Sequence, residues 1–378
     1  MMENRTLDVV FEGGGARGLA LNGAVSELER RGFRFGRLVG TSAGAITATL
    51  VAAGYTADAL WQVGLERLPS GASRMTDFIR TPNGFTDDEL RSSMLGEAMA
   101  HPHWVDLVGR NIELLGLRAL LHVDLFASVF SFVERGGIYS AEGFVAWLVE
   151  RLDAEGRAMS TWTLGELFAR TGNDLTLIAS DTTAEELIAL NHRTAPDVPL
   201  VAAVRMSMSI PFLWPEVHWA RAWGTYLGRE MVDHAIVDGG ITSNLALRFL
   251  VSEEPWIEKV MGRAPSPETQ VLALRLDGRH APPGAPAPKA TRPHSRALDR
   301  IARVFETALS GNDRTEDEAY ASLLCALPTQ GFGTLEFEMS PEQVEVLMRG
   351  AVQKLNQWLT ARGDVPHTIA QVRALRRF

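Results

Sequence analysis

Short apolar runs alternate with longer segments of helical periodicity at the start of the chain. Leu7 to Phe11 (LDVVF) is typical of a buried parallel strand, and Leu19 to Arg31 (LALNGAVSELERR) carries apolar residues at helical spacing. Arg34 to Gly40 (RFGRLVG) and Ala43 to Ala53 (AGAITATLVAA) repeat this order, and Gly54 follows where a helix C-cap would lie. The pattern predicts strand, helix, strand, helix, the opening of an α/β fold.

The second strand-to-helix junction has the sequence GTSAG. This fits the pattern G-x-S-x-G of a nucleophile elbow, in which a tight turn pushes a serine hydroxyl out of the sheet. Ser42 is therefore the candidate nucleophile. Gly40 and Gly44 would make room for its strained backbone.

The first strand-to-helix junction holds three consecutive glycines, Gly13, Gly14 and Gly15, within EGGGARG. Such a loop can turn its N–H groups toward one point beside the positive end of a helix, which suits a phosphate or an oxyanion. Arg17 would steady the loop or add positive charge. The loop matches neither a dinucleotide fingerprint nor a P-loop, so an oxyanion hole is the preferred hypothesis and a plain tight connection is the alternative.

A nucleophilic serine needs a base, and Asp238 is the best acid later in the chain. It ends a short apolar run, Ala235 to Gly240 (AIVDGG), and would be released at the carboxyl edge of the sheet, where ligands collect in parallel sheets. The usual α/β-hydrolase has several strands before its serine and a histidine after its acid. Here Ser42 follows only one β-α unit.

Taken together, EGGGARG, GTSAG and VDGG resemble the patatin-like phospholipase family. Val201 to Val217 (VAAVRMSMSIPFLWPEV) is similar to the family's segment between nucleophile and acid, and Asp174 to Thr182 (DLTLIASDT) is similar to its central strand. Thr334 to Leu359 looks like the strand and closing helix of many bacterial members. The resemblance covers most of the chain in order.

The resemblance implies a catalytic dyad without histidine, with Ser42 as nucleophile and Asp238 as base. It assigns Gly13, Gly14, Gly15 and Arg17 to the oxyanion loop and implies no metal and no organic cofactor. One departure concerns the loop behind the acid, where the family often has Asn-x-Pro and this chain has Asn244 followed by Leu245 and Ala246.

Composition is compatible with an enzyme in a reducing compartment. Of 378 residues, 46% are hydrophobic and 22% charged, and the single cysteine, Cys325, leaves no intrachain disulfide. The net charge of −9 argues against a nucleic acid polymer as partner. The predicted partner is a lipid or phospholipid at a membrane surface, and an unidentified activating partner or small-molecule signal stays open. The predicted location is the cytoplasm, with peripheral association with the membrane left open. No signal peptide is indicated.

Residues 70–137 carry mostly helical signals and are predicted to form a cap over the site. Within them Leu114 to Val133 is too polar to span a bilayer. The cap is either a lid whose apolar residues meet lipid or an ordinary helical layer. The lid hypothesis rests on four aromatic residues: Trp104, Phe126, Phe130 and Phe132. His101 and His103 lack partners at metal-site spacing, and Trp214, Trp219 and Trp223 are predicted to serve in packing.

The predicted fold is a three-layer α/β/α sandwich with a mainly parallel sheet and a helical cap insert. The patatin-like domain is expected to span residues 5–362. Within it we distinguish the insert 70–137, a Pro/Ala-rich loop at 280–296, and closing helices with a strand at 297–362. A basic C-terminal tail follows at 363–378.

The sequence predicts a serine lipid acyl hydrolase that cleaves phospholipids or lysophospholipids through an acyl-enzyme. Two other functions stay open. One is a Ser-His-Asp esterase acting on soluble esters, with His280, His294 or His367 beside Asp238. The other is a conditionally active effector or binding protein that needs an activating partner.

Overall fold

The fold is built on one eight-stranded sheet. A computed structural model describes residues 5–94, 124–262, 266–287 and 320–375, with isolated positions between 300 and 307. The strands run in the order β5-β6-β3-β2-β1-β7-β8, with β4 paired to β3 outside this path. Their bounds are β1 Thr6–Phe11, β2 Arg34–Thr41, β3 Asp174–Asp181, β4 Glu186–Leu190, β5 Val217–His218, β6 Ala235–Asp238, β7 Gln270–Asp277 and β8 Leu324–Pro328.

Helices cover both faces of this sheet. Their bounds are α1 Leu19–Arg30, α2 Ala43–Ala52, α3 Ala57–Leu65, α4 Asp87–Ser92, α5 Asp124–Arg135, α6 Glu142–Asp153, α7 Leu164–Thr171, α8 Leu200–Ser207, α9 Arg248–Val251, α10 Pro255–Met261, α11 Pro341–Thr360 and α12 Ile369–Leu375. The core that includes α1, α2, α3 and α11 takes Val9 from β1, and the core that includes α9, α10 and α12 takes Val10. Successive residues of β1 are thus buried on opposite faces, which explains its unbroken apolar run.

The centre of the sheet is parallel and one margin is antiparallel. β1 pairs in parallel with β2 and β7, β2 with β3, and β7 with β8. β4 and β6 both run antiparallel to β3, and β5 runs antiparallel to β6. The structure confirms the expected α/β architecture with a mixed, mostly parallel sheet.

β2 and β6 share one edge of β3. Thr41 of β2 pairs with Ile178, and Asp238 of β6 pairs with the next residue, Ala179. β4 occupies the other edge, across Leu177 to Asp181. β2 and β6 therefore approach each other end to end along the same edge of β3, and the chain leaving β2 must turn out of the sheet.

The first four predicted elements are confirmed, but one later strand is wrong. The strand predicted at the start of Thr334 to Leu359 is absent, because the residues before α11 contain only turns and irregular backbone. The strand that joins β7 is Leu324–Pro328, ten residues earlier. The stretch TLEFE alternates like a strand, but β8 already occupies that edge, and Thr334 instead accepts a hydrogen bond from Ala16 N (2.8 Å).

The expected helical insert is described only in part. Residues 95–123, which include Trp104, His101, His103 and the first part of the Leu114 to Val133 segment, lie outside the described residues. The described parts contain a 3-10 helix at Arg74–Ile79 and the helices α4 and α5. Phe130 of α5 is buried against Leu90 of α4, so it does not belong to an exposed aromatic cluster as the lid hypothesis assumed.

Part of the segment assigned to a basic tail is docked on the sheet. Thr368 forms a bridge to Gln270, and Ile369 and Val372 of α12 are buried in the core beneath β7. These two apolar side chains, three residues apart, share one face of the helix, and that face packs against the sheet. Of the Pro/Ala-rich loop, residues 280–287 are described and irregular.

No helix in the described part of the chain is long and apolar enough to cross a membrane.

Candidate active site

The candidate nucleophile, Ser42, lies in a strained turn between β2 and α2. Its backbone has φ 54° and ψ −123°, a conformation that non-glycine residues rarely adopt. A Cβ on Gly40 would lie 2.5 Å from the carbonyl oxygen of Gly44, and one on Gly44 would lie 2.1 Å from that of Phe11. Both elbow glycines are therefore required for the turn to close.

The candidate base, Asp238, reaches Ser42 through the shared edge of β3. Because Thr41 and Asp238 pair with consecutive residues of β3, the end of β6 lies directly against the turn at Ser42. Asp238 is predicted at the carboxyl end of a parallel strand, but β6, which carries it, runs antiparallel to β3. An antiparallel strand brings its own carboxyl end to the same point.

The Asp238 carboxyl group is fully buried. Oδ1 accepts a hydrogen bond from Gly240 N at 2.8 Å. Oδ2 is buried, and no described group completes a hydrogen bond to it, although the Ser42 hydroxyl lies near enough to favour the charged form. Burial, the larger effect, raises the pKa of Asp238 from its ordinary 3.8 to about 7. A carboxylate with such a pKa is a competent base near neutral pH.

The glycine loop lies against the nucleophile. A Cβ on Gly13 would lie 2.9 Å from Ser42 Cβ, and Gly15 has φ +56° at the start of the short 3-10 helix that leads into α1. Gly13 N donates to Asn244 O (3.3 Å). Within the described ranges no hydrogen bond is formed by the N–H groups of Gly14 and Gly15. These two groups, at the amino end of a helical segment, are the candidate oxyanion donors.

Arg17 faces a different part of the molecule from the other loop residues. Gly15, Ala16 and Gly18 line the cavity at Ser42, whereas Arg17 does not. Its Nη1 lies 3.2 Å from where a Cβ on Gly278 would be, in the turn that follows β7. The structure therefore brings together Ser42, Asp238 and the glycines but not the Arg17 guanidinium.

An apolar cavity of about 80 Å³ opens at Ser42. Among the residues that line it are Ile46, Leu50, Val63, Met75, Phe78, Trp147, Met208, Ile210, Trp214 and Phe337. Trp214 lines this cavity and also packs in the core, as predicted, with its ring 6.1 Å from that of Phe337. Trp219 and Trp223 contact each other. Met75 and Phe78 show that the insert does reach the site. Such a lining suits a hydrocarbon chain.

Three residues that position the site were missed by sequence reasoning. Ser207 Oγ accepts the Ser42 N–H (3.2 Å) and donates to Ile178 O (2.5 Å), which fixes the elbow to β3. Asn244 Nδ2 donates to Glu12 Oε1 and to Gly13 O, both at 3.2 Å. Ser207 lies in the segment that carried the family resemblance, and Glu12 precedes the glycines, but only the fold shows their contacts.

Two of the three histidines of the rival triad, His280 and His367, are among the described residues. Neither lies at the site. His280 Nδ1 pairs with Asp277 Oδ2 at 2.6 Å and its side chain is exposed. His367 O accepts from Val271 N, near the start of β7 and away from its carboxyl end. His294 lies outside the described residues. The described positions also hold no group of three potential metal ligands.

Residues 9–251 match the model of the patatin-like phospholipase family, and this range contains Ser42, Asp238 and all three glycines. The chain belongs to the patatin-like phospholipase family. Membership of this family implies lipid acyl hydrolase activity.

Several bacterial proteins are similar to this chain. The chain is 28% identical over 363 residues to the uncharacterized protein YqhO of Bacillus subtilis, covering 93% of this chain and 99% of that one. It is 16% identical to VipD of Legionella pneumophila (TM-score 0.48, 95% of this chain, 67% of that one). It is also 16% identical to a chain of the ExoU–SpcU complex of Pseudomonas aeruginosa (TM-score 0.36). That match covers 94% of this chain and 51%, about half, of the other.

Proposed function

We propose that this protein hydrolyses carboxylic esters of phospholipids or lysophospholipids through a Ser42–Asp238 dyad. The observation that carries the proposal is the buried Asp238 carboxyl, whose strand ends against the strained turn of Ser42. The apolar cavity at Ser42 supports a long acyl chain as the part of the substrate that is bound.

The proposed reaction has two steps. Asp238 takes the hydroxyl proton as Ser42 Oγ attacks the ester carbonyl, and the N–H groups of Gly14 and Gly15 stabilise the oxyanion. The tetrahedral intermediate expels the alcohol, which takes the proton from Asp238, and an acyl-enzyme is left. Asp238 then accepts a proton from water as the water attacks the acyl group. The second tetrahedral intermediate expels Ser42 Oγ, which takes this proton back from Asp238, and the fatty acid is released.

We further propose that the reaction takes place on the cytoplasmic side of a membrane. The single, buried Cys325 supports a reducing compartment. A lipid substrate supports contact with a membrane surface.

The test is covalent labelling by a fluorophosphonate probe combined with phospholipid hydrolysis. The probe should label Ser42 in the wild type and fail with Ser42→Ala, and mass spectrometry of the labelled peptide locates the adduct. His280→Ala is the control for the rival triad and should keep both labelling and turnover. Labelling at another residue, or loss of turnover in His280→Ala with retention in Asp238→Asn, would overturn the dyad.

A further inference from the structure

Four large apolar side chains are exposed on one part of the surface. Val129, Phe132 and Val133 of α5 are 53%, 40% and 53% exposed, and Phe212 is 54% exposed. The rings of Phe132 and Phe212 are 6.0 Å apart. We call these four residues the apolar patch. Exposed apolar groups that gather from two separate chain segments mark an interaction surface more often than isolated ones do.

The backbone holds Phe212 outward at an energetic cost. Its φ is +69°, which is unfavourable for a bulky side chain. Ile138 N donates to Phe212 O (3.0 Å) and Tyr139 N to Leu213 O (2.9 Å). These two hydrogen bonds act as a clamp, because they hold the turn against the chain that follows α5. The clamp keeps the Phe212 ring beside α5 instead of in the core.

The turn that carries Phe212 also forms part of the cavity wall. Ile210 and Trp214, two residues to either side, line the apolar cavity at Ser42. A lipid chain held at the patch would therefore lie next to the segment that lines the acyl site.

A groove of about 580 Å³, which contains two arginines, adjoins the same two segments. Its lining includes Ser131 and Arg135 of α5, Arg205 of α8, and Pro215. We call it the arginine groove. Arg135 forms an ion pair with Glu89 (2.8 Å), and the exposed Glu142 is the acid on the groove wall.

The arginine groove contains one charge without an ion-pair partner among the described residues and one hydroxyl without a hydrogen-bond partner among them. The Arg205 guanidinium donates to Ser209 Oγ and to Pro215 O (2.7 Å), and among the described residues no carboxylate lies within ion-pair distance of it. Burial lowers the pKa of Arg205 to about 10, so the side chain stays charged at neutral pH. Ser131 is 1% exposed, and its Oγ has no hydrogen-bond partner within the described residues. A buried positive charge and a spare hydroxyl suit a phosphate oxygen.

We propose that the apolar patch and the arginine groove together bind an anionic phospholipid in a membrane surface. The patch enters the acyl region, and the lipid phosphate binds between Arg135, Arg205 and Ser131. The choice of a lipid as occupant rests on the proposed function, and the charge complementarity of the groove favours a phosphate head group.

Vesicle binding of the Ser42→Ala protein tests this without turnover. The probes are vesicles of phosphatidylcholine with and without phosphatidylglycerol, separated from free protein by sedimentation. Phe132→Gln with Phe212→Asn removes both rings, and asparagine tolerates the positive φ at position 212. We expect the double variant to lower the partition coefficient about tenfold or more on both vesicle types. Trp256→Gln is the matched control, since Trp256 is 39% exposed elsewhere, and it should bind like the parent.

The charge of the groove is tested by a second pair of variants. Arg135→Gln should lower binding about fivefold, on phosphatidylglycerol vesicles only. Glu89→Gln breaks the same ion pair but leaves the arginine charged, so its binding should be equal or stronger. Thermal melting of the same samples shows whether each variant is folded.

Several outcomes would overturn the proposal. Equal binding by the parent and the Phe132→Gln, Phe212→Asn protein would mean that the patch does not meet lipid. Equal losses in Arg135→Gln and Glu89→Gln would assign Arg135 a structural role. Displacement from vesicles by millimolar inorganic phosphate in the absence of a salt effect would make the groove a site for free phosphate.

The proposed function and this surface can fail separately. Hydrolysis of a short-chain soluble ester by the wild type, without vesicle binding, would support the proposed hydrolase function and contradict the proposed membrane-binding surface. Vesicle binding by Ser42→Ala, with no hydrolysis of any ester by the wild type, would support the membrane-binding surface and contradict the hydrolase function.

Discussion

Asp238 and Asp277 are both buried aspartates at the carboxyl ends of strands in one sheet, but they titrate in opposite directions. Burial raises the pKa of Asp238 to about 7, because only Gly240 N and the nearby Ser42 hydroxyl offset it. Burial also acts on Asp277, but hydrogen bonds from His280 and Arg279 outweigh it and lower the pKa. The difference teaches that burial alone does not make a base. A buried aspartate becomes a base when, among the residues described, no cation lies near its carboxylate.

The largest effect expected from this comparison is on turnover. Ser42→Ala and Asp238→Asn should each lower kcat/KM by about 10³-fold or more, and the double variant should be no worse than either single one, because the two groups act as a unit. Asp277→Asn should keep turnover within a few-fold of the wild type. Steady-state hydrolysis of one soluble ester by the wild type and the four variants measures this, and a comparable loss in Asp277→Asn would remove the distinction.

The glycine loop should show the next largest effect. Gly14→Ala places a Cβ 2.4 Å from Cδ1 of Leu276, so either this side chain or the loop that carries the oxyanion N–H groups must shift. We expect kcat to fall about tenfold to a hundredfold. Gly15 is unsuited to this test, since its Cβ would lie 2.2 Å from the Thr334 carbonyl oxygen.

Gly32→Ala is the matched control for Gly14→Ala. Gly32 has φ +77° and open space around it, so alanine should cost about 1 kcal/mol of stability without changing kcat. Equal kcat in Gly14→Ala and the wild type would show that the glycines serve only as a turn.

The pH dependence should follow Asp238. Its ionised form is the base, so kcat/KM should rise with pH and level off above about 7, falling about tenfold per unit below that value. His280→Ala should leave the apparent pKa in place. A profile that shifts in His280→Ala would point to the histidine as base.

The two aspartates should also contribute to folding stability with opposite pH dependence. Asp238 has a raised pKa, so its contribution is present below pH 3.8 and is lost as pH rises through about 7, on the order of 4 kcal/mol in total. Asp277 has a lowered pKa, so its contribution is present above the ordinary aspartate value and is lost in acid. The free energy of unfolding, measured by chemical denaturation at several pH values, should therefore change less with pH in Asp238→Asn on the neutral side. In Asp277→Asn it should change less with pH on the acid side.

The smallest effect is expected at Ser207. Ser207→Ala removes the hydrogen bond to the Ser42 N–H and leaves Ile178 O unsatisfied, which should cost about 1–3 kcal/mol of stability. Turnover should fall only a few-fold, because β3 still fixes both strand ends. Urea unfolding and kcat on the same preparation separate the two effects, and unchanged stability would contradict the role given to this hydroxyl.

Some features of this protein were determined by local sequence. The apolar runs predicted β1, α1, β2 and α2 because each run reports which backbone face is buried, and the glycines of GTSAG predicted the turn because no side chain fits at Gly40 or Gly44. Ser42 could be named for the same reason. Its strain is a property of a few adjacent residues.

Other features were decided only by tertiary structure, since they depend on which distant segments become neighbours. Asp238 meets Ser42 because β6 runs antiparallel and ends where β2 ends on β3, and no local pattern encodes that pairing. The strand expected after Thr334 is absent because β8 already occupies the edge of β7. The raised pKa of Asp238 likewise comes from burial by residues far away in the chain, so sequence could name the acid, but only the fold makes it a base.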